Sequence, residues 1–91
     1  MTMVRIPPVL RAHAGDSKQV EAAGDTVGAL LEDLVGRHPG LREQLLDDDG
    51  GLHRFVNVYL NGQDVRYMDG LATAVREADT LIILPAMAGG A

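Results

Sequence analysis

The stretch Thr80-Leu-Ile-Ile-Leu84 is apolar on both of the faces that a strand presents, and it runs directly into Pro85-Ala-Met-Ala-Gly-Gly-Ala91. Successive side chains of a strand point to opposite faces, so a strand with one buried face alternates apolar and polar residues. An uninterrupted apolar strand is typical of an interior position in a sheet, where both faces are covered. The stretch therefore predicts a last strand inside the sheet, parallel to the first strand of the chain.

The beginning of the chain predicts a hairpin. Val4 and Ile6 alternate with less apolar neighbours, which fits a strand with one buried face. Pro7-Pro8 carries no backbone donors, so regular pairing should end or bulge there. A turn signal at residues 14–16 precedes a second alternating segment at residues 18–22, and the two segments together are interpreted as the hairpin.

A second hairpin is predicted in the other half of the chain. Residues 52–60 alternate with a period of two, with one face made of Val56, Val58 and Leu60 and the other of Phe55, Asn57 and Tyr59. Asn61-Gly62 favours a type I′ turn, because both of its central positions need a positive φ. We expect a return strand at residues 63–67 and one helical or 3₁₀ turn within residues 70–75.

Between the two hairpins, the sequence predicts a helix. Asp25 or Thr26 is the expected N-cap, and Pro39-Gly40 ends the helix. Its apolar residues follow helical spacing and form one stripe: Val27, Leu30, Leu31, Leu34 and Val35. We expect this stripe to pack on six residues of the sheet: Val4, Ile6, Val56, Val58, Leu81 and Ile83. A further short helical turn is expected around Leu41, Leu45 and Leu46.

The order hairpin, helix, two strands, short connection and final strand predicts an α+β fold. One mixed sheet of four to five strands with one main helix laid across it is the compact solution. This ββαββ order is that of the ubiquitin-like β-grasp. We expect a single domain at residues 1–84 and a flexible C-terminal tail at residues 85–91, because two adjacent glycines disfavour regular structure.

Composition excludes several classes of function. The chain has no cysteine, so disulfides, thiolate metal sites and cysteine nucleophiles are absent. A formal net charge of −5 argues against nucleic acid, whose binding depends on basic residues. The sequence has neither a signal-peptide pattern nor the roughly 20 apolar residues of a membrane span. We therefore expect a cytoplasmic protein that binds no nucleic acid and no membrane.

We expect neither a metal site nor a catalytic site in this chain. Asp47-Asp48-Asp49-Gly50 resembles the start of a calcium loop, but Val58 stands at the twelfth position, where that loop needs glutamate. The three histidines, His13, His38 and His53, show no ligand spacing. The chain is thus predicted not to be an enzyme and to bind no cofactor of its own.

The last strand also predicts a docking surface for other proteins. If Leu81 and Ile83 face the helix, Ile82 and Leu84 face outward on the same side as Tyr59. Exposed apolar clusters of this kind are common at protein interfaces. The alternative is that loops cover both faces of the strand.

The double glycine Gly89-Gly90 resembles the tail of the ThiS and MoaD family, the sulfur-carrier branch of the ubiquitin-like proteins. Residues 55–66, 70–75 and 79–90 are most similar to the carriers of a thiocarboxylate route to cysteine, and the similarity extends over residues 25–34 and the Ile6-Pro7 start. We expect partner docking at Tyr59, Ile82, Leu84 and Met87.

This resemblance implies a chemistry performed by partner enzymes. An ATP-dependent adenylyltransferase and sulfurtransferase of the ubiquitin-activating type would convert the Gly90 carboxylate into a thiocarboxylate. A PLP-dependent cysteine synthase would accept the sulfur, and a zinc peptidase of the JAMM type would release the product. The same carrier chemistry could instead serve molybdopterin, thiazole, tRNA thiolation or a specialised sulfur metabolite. A non-covalent ubiquitin-like binding module with incidental glycines is the alternative from another class.

Ala91 departs from the family pattern, because it locks the Gly90 carboxyl group in a peptide bond. Either Ala91 is removed before activation, or it is an artefact of how the chain was produced, or this copy is inactive. The zinc peptidase is the obvious candidate for the trimming.

Overall fold

A computed structural model describes residues 1–54 and 56–85 of the chain. Its sheet is built from β1 (Thr2–Arg5), β2 (Gln19–Ala22), β3 (Val56–Leu60), β4 (Gln63–Asp64) and β5 (Thr80–Pro85). The strand order is β2-β1-β5-β3-β4, with β5 parallel to β1 and antiparallel to β3. The apolar last strand therefore lies in the centre of a mixed five-stranded sheet, as the sequence predicts.

One long helix, α1 (Val27–Arg37), packs on this sheet, and a short helix, α2 (Arg42–Leu45), follows it. Thr26 is the N-cap of α1, since its hydroxyl oxygen accepts a hydrogen bond from the Ala29 amide at 3.1 Å. All five residues of the predicted stripe are buried, as are all six sheet residues predicted to meet them. The α+β prediction and its core are confirmed.

The connection between β1 and β2 differs from the predicted hairpin turn. It contains a 3₁₀ segment, Pro8–Ala14, which buries Leu10 and Ala14 in the core. Proline fixes φ near −65°, so Pro8 suits the first turn of such a helix and cannot extend the strand. Gly15 and Asp16 then reverse the chain with φ values of 64° and 63°. The two strands still pair antiparallel, as expected.

The second hairpin turns where the sequence predicts but its return strand is shorter. Asn61 and Gly62 have φ values of 50° and 89°, as a type I′ turn requires. β4 ends at Asp64, whose carboxylate accepts a hydrogen bond from the Arg66 amide at 2.8 Å and so starts a 3₁₀ turn at Val65–Tyr67. Val65, the first residue of this turn, is fully buried in the core.

The remaining connections follow the prediction closely. Residues Gly70–Ala72 form the expected 3₁₀ turn. β5 includes Pro85, one residue beyond the predicted stretch. Phe55 lies outside the described residues, so its outward position stays a prediction. None of the helices within residues 1–54 and 56–85 is long and apolar enough to cross a membrane.

Candidate functional site

The face of the sheet opposite α1 presents the apolar residues predicted to dock partners. Leu81 and Ile83 are fully buried, whereas Ile82 is half-buried and Leu84 is 42% exposed. Tyr59, also half-buried, lies opposite Ile82 in the antiparallel β3–β5 register. Tyr59, Ile82 and Leu84 therefore share one face, which we call the open-face patch. The predicted orientation is confirmed, and loops do not cover this face completely.

Arg66 borders the open-face patch, and sequence reasoning missed it. Its guanidinium group donates to the Asn57 side-chain oxygen at 2.7 Å and to the His53 carbonyl oxygen at 2.9 Å. Asn57 lies opposite Leu84 across β3 and β5. The arginine thus places a positive charge beside the most exposed apolar residue of the patch. Arg66 is nine residues from Asn57 and thirteen from His53 in the sequence, and no local sequence pattern predicts contacts over such separations.

A groove adjoins the patch at the end of β5. Its volume is about 480 Å³. We call it the tail-base groove, and its lining consists of Arg5, Ile6, Pro7, Pro8, Val9, Arg11, Ile82, Ile83, Leu84 and Pro85. One wall is the unpredicted 3₁₀ segment after β1, so sequence reasoning did not find the groove. The Pro7-Pro8 pair, which stops β1, is the signal that could have found it.

β5 is the last element that the structure describes, and it ends at Pro85. The strand is hydrogen-bonded to β1 on one side and to β3 on the other, and Pro85 lies opposite Val56. The pairing with β1 reaches Ile82, and the pairing with β3 continues to Pro85. Four residues predicted to act beyond this point lie outside the described residues: Met87, Gly89, Gly90 and Ala91.

The acidic loop at residues 47–51 is held together by its own first carboxylate. The Asp47 carboxylate accepts hydrogen bonds from the amides of Asp49 and Gly51 at 2.9 and 2.8 Å, which closes the acidic loop. Within residues 1–54 and 56–85, no three His, Asp or Glu side chains are grouped so that they could hold a metal ion. His13, His38 and His53 are not brought together as a ligand set.

Comparisons with known proteins assign this architecture to a family. The ThiS family model matches residues 4–90. The sulfur carrier protein CysO of Mycobacterium tuberculosis is 52% identical over 89 residues, which cover 96% of each chain. In the solved complex of BexX and CysO from Amycolatopsis orientalis, the similar chain has 46% identity and a TM-score of 0.88, with 94% of this chain and 96% of that one covered.

The crystal structure of CysO from Mycobacterium tuberculosis gives a TM-score of 0.87 at 49% identity, with 94% of this chain and 99% of that one covered. In both solved structures, the agreement in sequence and backbone covers 94% of this chain. The chain therefore belongs to the ThiS family, as a sulfur carrier that resembles CysO and has the ubiquitin-like β-grasp fold.

Proposed function

We propose that this protein donates sulfur for the biosynthesis of cysteine, as a thiocarboxylate formed on Gly90. The observation that carries the proposal is the extent of the family match, which runs from residue 4 to residue 90 and so includes the double glycine. The 52% identity to CysO over nearly the whole chain favours the cysteine route among the uses of such carriers.

The chemistry rests on activation of the Gly90 carboxyl group. An adenylating partner enzyme joins the carboxylate to AMP at the expense of ATP, and pyrophosphate leaves. A sulfur nucleophile then attacks the acyl carbon and displaces AMP, which leaves a thiocarboxylate. Dividing one difficult substitution into two easier steps is the general advantage of an activated acyl intermediate. A PLP-dependent synthase accepts the sulfur, and a zinc peptidase releases the amino acid.

The fold positions the start of the tail at the end of β5, and the tail is long enough to extend away from the domain. We assign residues 1–84 to the domain and residues 85–91 to the tail. The segment from Pro85 to Gly90 spans about 20 Å when extended, at roughly 3.3–3.6 Å per residue. Glycines at its end leave no side chain to block a narrow channel. A carboxyl group on this tail can therefore enter an active site while the domain stays outside.

The open-face patch is the surface that we assign to partner docking, together with Met87. Tyr59 supplies an aromatic anchor, the residue class that most often dominates binding energy at interfaces. A CysO that is similar to this chain forms a complex with BexX. That complex supports a docking role for the fold.

Removal of Ala91 precedes activation in this proposal, because an adenylating enzyme needs a free carboxyl group on Gly90. The experiment uses the chain ending at Gly90, its cognate adenylating enzyme, ATP and a sulfur source. Mass spectrometry of the C-terminal peptide should show one oxygen replaced by sulfur on Gly90. Addition of the PLP-dependent synthase and the peptidase should then release cysteine. Sulfur incorporation without cysteine formation would refute the assignment to this pathway, and no incorporation would refute the carrier role.

A further inference from the structure

The tail-base groove differs in charge from the rest of this acidic chain. The protein has a formal net charge of −5, yet the ten residues that line the groove include two arginines and no carboxylate. The other eight are apolar or proline side chains. The groove therefore combines an apolar floor with a positive rim, and Val9, at 65% exposed, stands at its edge.

The arginines of the groove are not neutralised by the protein itself. On α1 and α2, Arg37 pairs with Asp33 at 2.8 Å and Arg42 pairs with Glu32 at 3.2 Å. Arg11 instead donates to the neutral Ile6 carbonyl oxygen at 3.1 Å. Arg5 is exposed, and neither a hydrogen bond nor an ion pair joins its side chain to residues 1–54 and 56–85.

The carboxylates of the same sheet face stand on its outer strands. Glu21 lies on β2, where it is paired in register with Met3. Asp64 lies on β4, and its carboxylate already accepts a hydrogen bond from the Arg66 amide. Arg5 is in register with Ile82 of the central strand, so its charge borders the open-face patch.

We propose that the enzyme that receives the tail places an apolar side chain, flanked by carboxylates, in the tail-base groove. This inference rests on the proposed function and specifies the partner surface. Pro85 lines the groove and is also the origin of the tail, so a partner that takes up the tail lies over the groove. Ile82 and Leu84 belong to both surfaces, which makes them one continuous interface. Complementary charges at such a rim accelerate association and suppress wrong partners.

The test measures binding of the chain ending at Gly90 to its cognate adenylating enzyme without ATP, at low and high salt. Arg5→Glu should slow association about tenfold at low salt and flatten its salt dependence. Arg76→Glu is the matched control, since it makes the same charge change before β5, at the opposite end from Pro85. It should change the rate less than about twofold. Val9→Glu, which adds a carboxylate at the groove, should also weaken binding.

Four results would overturn the inference. Equal effects of Arg5→Glu and Arg76→Glu would show that only net charge matters. NMR contacts between residues 86–91 and Arg5 or Ile82 in the free protein would show that its own tail fills the groove. If the protein forms a dimer in solution and Arg5→Glu dissociates it, a second copy of the chain fills the groove. Sulfur incorporation at Gly90 is measured separately. If the enzyme converts Gly90 but its association rate is unchanged by Arg5→Glu, this inference is refuted and the proposed function is not.

Discussion

Tyr59 of β3 lies directly opposite Ile82 of β5, on the face of the sheet that α1 leaves open. Residues opposite each other in an antiparallel pair have Cβ atoms about 4.5–5.5 Å apart, so the two side chains form one apolar surface. Both are half-buried, whereas their neighbours Val58, Leu81 and Ile83 are fully buried on the other face.

From this pairing we predict that Tyr59→Ala weakens binding to the partner enzyme and leaves the stability of the protein nearly unchanged. Removal of the ring should weaken binding to the adenylating enzyme by about 2 kcal/mol or more, as truncation of an aromatic anchor does. The midpoint of thermal unfolding should fall only slightly, because the ring is not part of the core. Calorimetry of binding and of unfolding gives the two quantities. A large loss of stability with unchanged affinity would show that Tyr59 is a core residue.

The stripe of α1 predicts a large loss of stability on truncation. Leu31 is 0% exposed, and Leu31→Ala should lower the free energy of unfolding by about 2–5 kcal/mol, since it removes buried methyl groups and leaves a cavity. Denaturation by urea measures this loss. Tyr67→Ala is the control, because Tyr67 is 86% exposed and its loss should leave stability nearly unchanged. A loss below about 0.5 kcal/mol for Leu31→Ala would contradict the assigned core.

Two glycines predict opposite effects of the same substitution. A Cβ on Gly24 would lie 2.5 Å from the Leu30 backbone nitrogen, so Gly24→Ala should force the start of α1 to shift and should destabilise the protein. A Cβ on Gly36, inside α1, would meet nothing within 4 Å. Gly36→Ala should stabilise the protein by about 0.5–1 kcal/mol through the better helix propensity of alanine. Urea denaturation of both variants compares them, and a stabilising Gly24→Ala would contradict the described backbone.

Asp79 predicts a loss of stability in acid. Hydrogen bonds from the Asn61 side chain and the Arg76 amide hold the pKa of its carboxyl group below the ordinary value. The unfolded chain therefore binds this proton first as pH falls. The stabilising contribution is complete above the unfolded pKa of about 4 and is lost as pH falls through the lower folded pKa.

Asp79→Asn should lower the unfolding midpoint at neutral pH, and the difference from the parent chain should narrow below about pH 4. Asp48→Asn, in the exposed acidic loop, is the matched control and should change the midpoint little. Thermal unfolding across this pH range provides the comparison. A difference for Asp79→Asn that is independent of pH would contradict the assigned role of its charge.

Some parts of the fold follow from local patterns and others do not. The stripe of α1, the apolar β5 and the Asn61-Gly62 turn are each encoded by neighbouring residues, and each prediction was confirmed. The 3₁₀ segment Pro8–Ala14 was missed, because a turn signal marks where a chain reverses but not what the preceding residues form. The short β4 was mispredicted because the Asp64 carboxylate accepts a hydrogen bond from the Arg66 amide, and this cap ends the strand in a 3₁₀ turn.

The candidate site shows the same division. Alternation along one strand places Tyr59, Ile82 and Leu84 on one face correctly. The tail-base groove depends on how the segment after β1 folds back beside β5, and the Arg66 contacts join residues distant in sequence. Periodicity within one helix or strand predicts neither the tail-base groove nor the Arg66 contacts.

Intact mass spectrometry tests the central claim most directly. The 91-residue chain, the chain ending at Gly90 and its Gly90→Ala variant are incubated with the adenylating enzyme, ATP and a sulfur source. We predict that only the chain ending at Gly90 exchanges one oxygen for sulfur, because Ala91 locks the carboxyl group in an amide and a Cβ at the last residue obstructs the close approach that glycine permits. Sulfur uptake by the 91-residue chain with its alanine still attached would contradict a carrier that acts through Gly90.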